Sequence, residues 1–325
     1  MVRLTVPEPM VGAEIIDGRA CARALRAPVA AEVGRLRADG IRCGLATVLA
    51  GDDYSARAYE RRLRRVAALL SVPYRHVPLP GTATEAEIIA AIVALNADPA
   101  VTGVLVLRPL PPGVREPEVF SALSPLKDIE SVHPENAGLL ALGTPRYVPS
   151  TAASVFHLLD TWLDSRPGSS EADSAAGSAR ADFYHRSLIV VVGRSNNVGK
   201  PAVSIAYDRQ AAVESVDEWA SKTGGLGPHT RRADVLIVAA GRPGLIKAEH
   251  VKAGAIVIDV GINPVTDPAT GRVRMTGDVD FDSVAPRARA VTPVPGGVGP
   301  VTDVWLLHNT VRAARLAHAM SARRE

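Results

Sequence analysis

Cysteine is nearly absent. The 325 residues hold two, Cys21 and Cys43, with no spacing that would build a metal knuckle, a redox pair or a disulfide framework. A chain so poor in thiols suits a reducing compartment. Long apolar runs are missing too: Leu188 to Val192 and Val235 to Ala240 are far too short to cross a bilayer. The opening residues show no secretory n-region and h-region pattern. Aromatic residues are scarce at 4%, and there is no block of one charge. Basic and acidic residues number 37 and 34, for a net charge of +3, and the arginines are spread along the chain, so neither nucleic acid nor membrane is expected as a partner. No repeat of fixed period is visible. With 47% apolar residues, the expectation is a soluble cytoplasmic enzyme long enough for two domains.

What is present is glycine and proline at marked places. Thr292-Pro293-Val294-Pro295-Gly296-Gly297-Val298-Gly299-Pro300 fits neither a helix nor a central strand, because proline fixes φ and removes donors while glycine exposes the backbone. By itself this is turn chemistry, and its meaning depends on the rest of the chain.

Strand and helix patterns alternate through the first half. Leu25, Val29, Val33 and Leu36 have helical spacing, Leu45 to Leu49 reads as a buried strand, and Tyr59, Leu63, Val66 and Leu70 form the next helical stripe. Tyr74 to Val77, a helix near Thr84 to Asn96 and the strand Gly103 to Leu107 follow, which implies βαβ units and a largely parallel sheet. A helix is expected over Ala152 to Leu163. Residues 165–182, rich in Ser, Ala, Gly and Asp, read as a flexible insertion.

The second half opens with the strand Leu188 to Val192 and the turn Gly193-Arg194-Ser195-Asn196-Asn197-Val198-Gly199-Lys200-Pro201. The glycines are one residue too far apart for a P-loop, and Pro201 stands where its hydroxyl residue belongs. A strict GxGxxG also fails, since Ser195 replaces the second glycine. What remains is a strand-to-helix turn whose amides suit a pyrophosphate. Ala211 to Val216 reads as the next strand. It ends at Asp217, 24 residues past Gly193, where a Rossmann unit places the carboxylate that binds ribose hydroxyls of NAD. Strands Val235 to Ala239 and Ala255 to Val260 end in Gly241 and in Gly261-Ile262, and Val301 to Ala322 reads as a closing helix.

From Ile15 to about Thr310 the chain resembles the bifunctional methylenetetrahydrofolate dehydrogenase/methenyltetrahydrofolate cyclohydrolase (FolD-type) family. The resemblance rests on His133-Pro134-Glu135-Asn136-Ala137-Gly138, on Gly193-Arg194-Ser195 with Val198-Gly199-Lys200-Pro201, on Ile258-Asp259-Val260-Gly261-Ile262-Asn263 and on Pro293 to Pro300. It implies an α/β fold with an N-terminal three-layer catalytic domain over residues 1–150, to which the closing helix 301–325 returns. A Rossmann-like NAD(P)-binding domain with a parallel sheet would span 151–300, with a folate cleft between the two. It also implies a homodimer, a tetrahydrofolate derivative as substrate, NAD as cofactor with NADP possible, and no metal. Gly193, Arg194, Ser195, Asp217, Gly241 and Ile262 would bind the cofactor. Tyr59, Leu63, Val106, Leu107, Arg108, Glu130, Pro295, Gly296, Gly297, Val298 and Gly299 would meet the substrate, with Tyr59 and Glu130 at the reacting centre.

The folate side departs from the family. Its catalytic lysine, four residues past the tyrosine, is Leu63, and its assisting glutamine is Leu107. The pterin-binding aspartate of K-D-V-D-G is Glu130, followed by Ser131 instead of glycine. Hydrolysis of a methenyl bridge needs an ionisable group for water and proton handling. Hydride removal needs mainly proximity and orientation. The expectation is therefore a dehydrogenase with cyclohydrolase activity lost or weak and an apolar wall at Leu63. Monofunctional NAD-dependent members of the family also lack the lysine and end their second Rossmann strand much as Val216-Asp217 does. Two alternatives stay open: a paralogue acting on another substrate, for which Arg108 is a candidate anion reader, and a non-catalytic folate or dinucleotide binder.

Overall fold

A computed structural model describes residues 12–166, 175–222, 224–266 and 273–322. The chain divides into two compact units.

The first unit runs from Arg19 to Ser154 and takes in the C-terminal helix from Pro300 on. Its sheet has three parallel strands in the order Tyr74–Leu79, Leu45–Ala50, Gly103–Val106. Leu45–Ala50 is central and every residue in it is buried, as expected of a parallel strand covered on both faces. In the helix Tyr54–Leu69, Leu63, Val66 and Ala67 turn inward while the arginines stay outside; Asp53 caps it, its carboxylate accepting the Ala56 N–H at 2.8 Å. The helix Glu85–Ala97 starts on a Thr84–Glu87 capping box.

Asn309 ties the C-terminal helix Val298–Ser321 to this unit. Its Nδ2 donates to the Ile129 and Val148 carbonyls, both at 2.8 Å, and the residue is 1% exposed. Asn309→Ala is expected to cost about 2–3 kcal/mol, since it strands two carbonyls with little access to water. Urea unfolding would show this as a lower midpoint at unchanged slope; a midpoint within error of wild type would mean that water replaces the amide.

The second unit holds Val155 to Gly299 and the segment ending at Gly18. Its main sheet has six strands, all parallel, in the order Glu14–Ile15, Ala290–Val291, Ile256–Asp259, Val235–Val238, Leu188–Val192, Ala212–Val216, and Asn263–Thr266 with Val273–Thr276 form a separate antiparallel pair. The order reverses at Leu188–Val192, which makes its carboxyl end the topological switch point, where open α/β sheets hold ligands. Val190, Val192, Leu236, Val238 and Val257 form the core of the sheet.

Two expectations need correction. The domain start at residue 1 is wrong for the described residues up to Gly18. Glu14–Ile15 pairs with Ala290–Val291 of the Rossmann-like sheet, the Glu14 N–H donates to Arg289 O at 3.0 Å, and Trp162 Nε1 donates to the Glu14 carboxylate at 3.1 Å. A two-residue strand carries no period to read. The expected flexible insertion 165–182 is partly a helix, Ala175–Arg186, while residues 167–174 lie outside the described residues. Alanine favours helix, and Tyr184 anchors its end by donating to Asp160 Oδ1 at 2.7 Å beneath the Arg209 guanidinium.

Candidate active site

In the Rossmann-like unit, Gly193 follows the strand Leu188–Val192 with φ +116°. A Cβ there would lie 2.2 Å from Ala239 O, and one on Gly199 would lie 2.0 Å from Gly193 O. Glycine is thus required twice: to bring the tips of two neighbouring strands together, and to let the helix Gly199–Asp208 start directly above the turn. Ser195 Oγ accepts the Val198 N–H at 3.2 Å and fixes the loop between them. The result is a bare-backbone cradle at a helix N-terminus on the switch point, and it fits a dinucleotide pyrophosphate.

Arg194 folds across the end of the strand Ala212–Val216. Its Nη2 donates to Ser215 O at 2.7 Å and its Nη1 to Asp217 Oδ2 at 3.0 Å. Asp217 Oδ1 accepts the Trp219 N–H at 3.0 Å. Asp217, expected to meet the adenosine ribose, is therefore already paired with Arg194 of the cofactor-binding turn. Ile262 is 51% exposed, and Gly299 approaches it, the Ile262 Cδ1 lying 3.7 Å from a Cβ built there. Gly296 has φ +121°, and a Cβ on Gly18 would lie 1.7 Å from Gly297 O, so the Pro293–Pro300 segment is held against the chain's own entry into the first helix.

Sequence reasoning passed over the residue that organises this edge. Asp278 is fully buried and accepts three consecutive amides, Ala240 and Gly241 on Oδ2 at 2.6 and 2.8 Å and Arg242 on Oδ1 at 2.8 Å. Asn263 Nδ2 adds a fourth donor at 2.8 Å. Asp259 works the same way on the next loop, accepting from Gly261, Asp278 and Val279 amides at 2.9, 3.1 and 3.0 Å. Burial pushes the Asp259 carboxyl up to about 7 against those three donors, and the neighbouring Asp278 charge adds to the rise. Asp278→Ala should lower cofactor affinity at least about tenfold along with thermal stability, because three consecutive loop amides lose their shared charged acceptor. Calorimetric titration with NAD, beside a melting curve, would test it; unchanged affinity would mean the loop holds its shape without the carboxylate.

In the other unit, Tyr59 and Glu130 are each half-buried. Glu130 Oε1 accepts the Ser150 N–H at 3.0 Å. Burial pushes its carboxyl up to about 7; hydrogen bonding to Ser150 opposes the rise, Asp128 adds to it, and Arg108 opposes it. Ser131, which replaces the family's glycine, keeps a left-handed φ of +52° and donates its hydroxyl to Tyr147 O at 2.7 Å. The Tyr59 hydroxyl is driven well above its ordinary pKa by burial and then by the charges of Asp303 and Glu130.

The residues of the expected apolar wall lie in the core, and a cation stands beside Tyr59. Leu63 is 0% and Leu107 3% exposed, and Val106 is likewise buried, so all three are core residues. The helix instead sets Arg62, three residues from Tyr59, over its ring at 5.0 Å, with Arg62 Nε donating to Asp303 Oδ2 at 2.6 Å. Residues i+3 and i+4 both neighbour residue i on a helix; here Arg62 at i+3 lies over the ring and Leu63 at i+4 enters the core. Arg108 is committed elsewhere, its Nε on the Glu116 carboxylate at 3.1 and 3.2 Å and its guanidinium 4.3 Å from the Phe120 centroid. Among the described residues no group of His, Cys, Asp and Glu could hold a metal ion, and no helix is long and apolar enough to cross a membrane.

Comparison with known proteins gives two matching family models. Residues 16–130 match the catalytic domain of tetrahydrofolate dehydrogenase/cyclohydrolase, and residues 180–318 match its NAD(P)-binding domain. The chain is 58% identical over 315 residues to the bifunctional protein FolD 3 of Rubrobacter xylanophilus, covering 96% of each. Among solved structures it is similar to the N5,N10-methylenetetrahydrofolate dehydrogenase-cyclohydrolase of Trypanosoma brucei, complexed with NADP and an inhibitor (TM-score 0.82, 34% identity, covering 95% of this chain and 99% of that one). The NAD-dependent 5,10-methylenetetrahydrofolate dehydrogenase of Saccharomyces cerevisiae shares the fold at 18% identity (TM-score 0.72, covering 95% and 99%).

Proposed function

The chain belongs to the tetrahydrofolate dehydrogenase/cyclohydrolase family, and on that premise we propose that it is an NAD-dependent 5,10-methylenetetrahydrofolate dehydrogenase with little or no cyclohydrolase activity. The observation that carries the proposal is the pair of core leucines, Leu63 and Leu107, at the family's lysine and glutamine positions. Neither can take or give a proton. Arg62, the cation next to Tyr59, keeps its proton at any working pH, and Asp303 beside it raises its pKa further against the opposing effect of burial.

Dehydrogenation asks less of these residues. The nicotinamide cofactor supplies a hydride acceptor, and loss of hydride from the methylene bridge moves no proton. Tyr59 stacks on the folate, and Glu130 accepts hydrogen bonds from the pterin amide and amino groups, its extra methylene setting a pose different from that of the family's aspartate. Val106, Leu107 and Leu63 back this face from the core. Gly193, Arg194 and Ser195 hold the pyrophosphate end of the cofactor, Asp217 its adenosine ribose, and Gly241 and Ile262 its nicotinamide half. The Pro295 to Gly299 backbone offers carbonyl and amide groups to the substrate, and the active form is a homodimer. Arg108, bound to Glu116 and stacked on Phe120, gives no support to a new anionic substrate.

The test supplies methylenetetrahydrofolate with NAD or NADP and follows the reduced cofactor, then measures methenyl hydrolysis separately. Turnover with NAD and hydrolysis close to the uncatalysed rate are expected. No turnover with either cofactor rejects the dehydrogenase reading, and fast hydrolysis rejects the loss of the second activity.

A further inference from the structure

Asp303 is a carboxylate in an apolar stripe. Val301, Val304, Leu306 and Leu307 around it on the same helix are fully buried, and its own side chain is 4% exposed. One oxygen, Oδ2, is held by Arg62. The other, Oδ1, is buried with no hydrogen-bond partner among the described residues. A charge taken out of water with an unused acceptor is unfavourable, and an apolar residue of similar size would suit the stripe better. Such an oxygen calls for a donor from outside the fold.

Its surroundings indicate what the donor is. Asp303 and Glu130 are the two carboxylates whose charge reaches the Tyr59 hydroxyl, and Arg62, bound to Asp303, lies over the Tyr59 ring. The four side chains form one cluster around the aromatic ring proposed to stack on the substrate. Arg62 has five N–H donors and spends one of them on Asp303. The cluster therefore offers an acceptor backed by a fixed cation, which suits a neutral, N–H-bearing heterocycle better than an anion. A rival donor exists within the chain: the charge of Arg26 also reaches Asp303, and Arg26 Nε is itself buried without a partner.

We propose that Asp303 is a substrate-contacting residue of the folate site, its Oδ1 accepting a hydrogen bond from an N–H of the bound reduced pterin while Arg62 holds the carboxylate in place. The inference rests on the dehydrogenase reading above. It gives this chain a recognition element on the C-terminal helix, apart from Glu130.

The test measures binding of tetrahydrofolate and, separately, of NAD by calorimetry, together with KM and kcat for methylenetetrahydrofolate. Asp303→Asn keeps the shape and removes the charge. It should weaken tetrahydrofolate binding and raise KM by about tenfold or more, with NAD affinity within about twofold of wild type. Arg26→Gln should change neither. Asp303→Ser gives the same reading if the asparagine variant does not fold. Tetrahydrofolate affinity unchanged in the Asp303 variant, with only the melting temperature lowered, would show a purely structural ion pair and overturn the proposal. An equal loss of affinity in Arg26→Gln would assign Oδ1 to Arg26 and overturn it as well. Wild-type protein that binds and turns over folate while Asp303→Asn does the same sinks this inference alone. Wild-type protein that binds no tetrahydrofolate sinks the dehydrogenase reading with it.

Discussion

Asp217→Ser is expected to shift the ratio of kcat/KM for NAD over NADP by about 30- to 100-fold toward NADP. Asp217 stands at the end of the second Rossmann strand, where a 2′-phosphate would meet its charge. Juxtaposed like charges cost several kcal/mol when desolvated. Asp217 is 26% and Arg194 52% exposed, so water screens part of that repulsion and about 2–3 kcal/mol is the better figure. The substitution acts twice, because it also releases Arg194 Nη1, which Asp217 Oδ2 holds at 3.0 Å, to pair with the phosphate. Arg194→Ala separates the two effects: it should lower the residual NADP rate and leave NAD use within a few-fold. Steady-state kinetics with both cofactors decides the matter. A ratio that moves less than about threefold would place Asp217 away from the ribose and make its role that of capping the Trp219 and Ala220 amides.

How much of this could be read from the sequence depended on the distance over which each signal acts. Leu188 to Val192 and Ala255 to Ile258 are continuous apolar runs bounded by glycine or polar residues, and the structure has strands there, Leu188–Val192 and Ile256–Asp259. The turn at Gly193 to Gly199 was legible because its chemistry is local, glycine where backbone meets backbone. Glu14–Ile15 and Ala290–Val291 were not, since two residues have no periodicity and their pairing joins chain segments far apart. Asp278 escaped for the same reason: the amides it holds lie 36 to 38 residues away, and nothing in Gly277-Asp278-Val279 announces them. The Arg62–Asp303 pair spans 241 residues. One half of it did leave a trace, because an aspartate inside the run from Val301 to Leu307 breaks an otherwise apolar stripe. A family template looks four residues past Tyr59 and finds Leu63, whereas the helix turns Leu63 into the core and sets Arg62 on the ring.

Glu130→Ala should reduce kcat/KM for methylenetetrahydrofolate by about 100-fold or more, and pH should separate its charge from its shape. Hydrogen bonds to a charged acceptor are worth about 1.5–3 kcal/mol each, and a carboxylate can accept two at once from a pterin's amide and amino groups. That capacity requires the ionised form. Burial pushes the Glu130 carboxyl from its ordinary 4.5 up to about 7, so at pH 6 most of the protein carries it protonated. Folate affinity should rise as pH climbs through about 7, and the inflection should vanish in Glu130→Gln. Stability runs the other way. The folded state holds a proton that the unfolded chain has released between pH 4.5 and 7, so this group's contribution is full below 4.5 and is lost as pH rises through 7. The conditions that best arm the site are thus those in which the buried charge most burdens the fold. Glu130→Gln should relieve that burden, with a melting temperature that falls less than wild type between pH 5 and 8. Asp259, pushed to about 7 in the other unit, sets a background slope common to both proteins, so the difference between their pH–stability curves isolates Glu130. Parallel curves would mean that Glu130 is ionised across this range; the pH dependence of folate binding would then have to come from another group, and Tyr59 and Asp303 are titratable members of the cluster whose pKa values also shift upward.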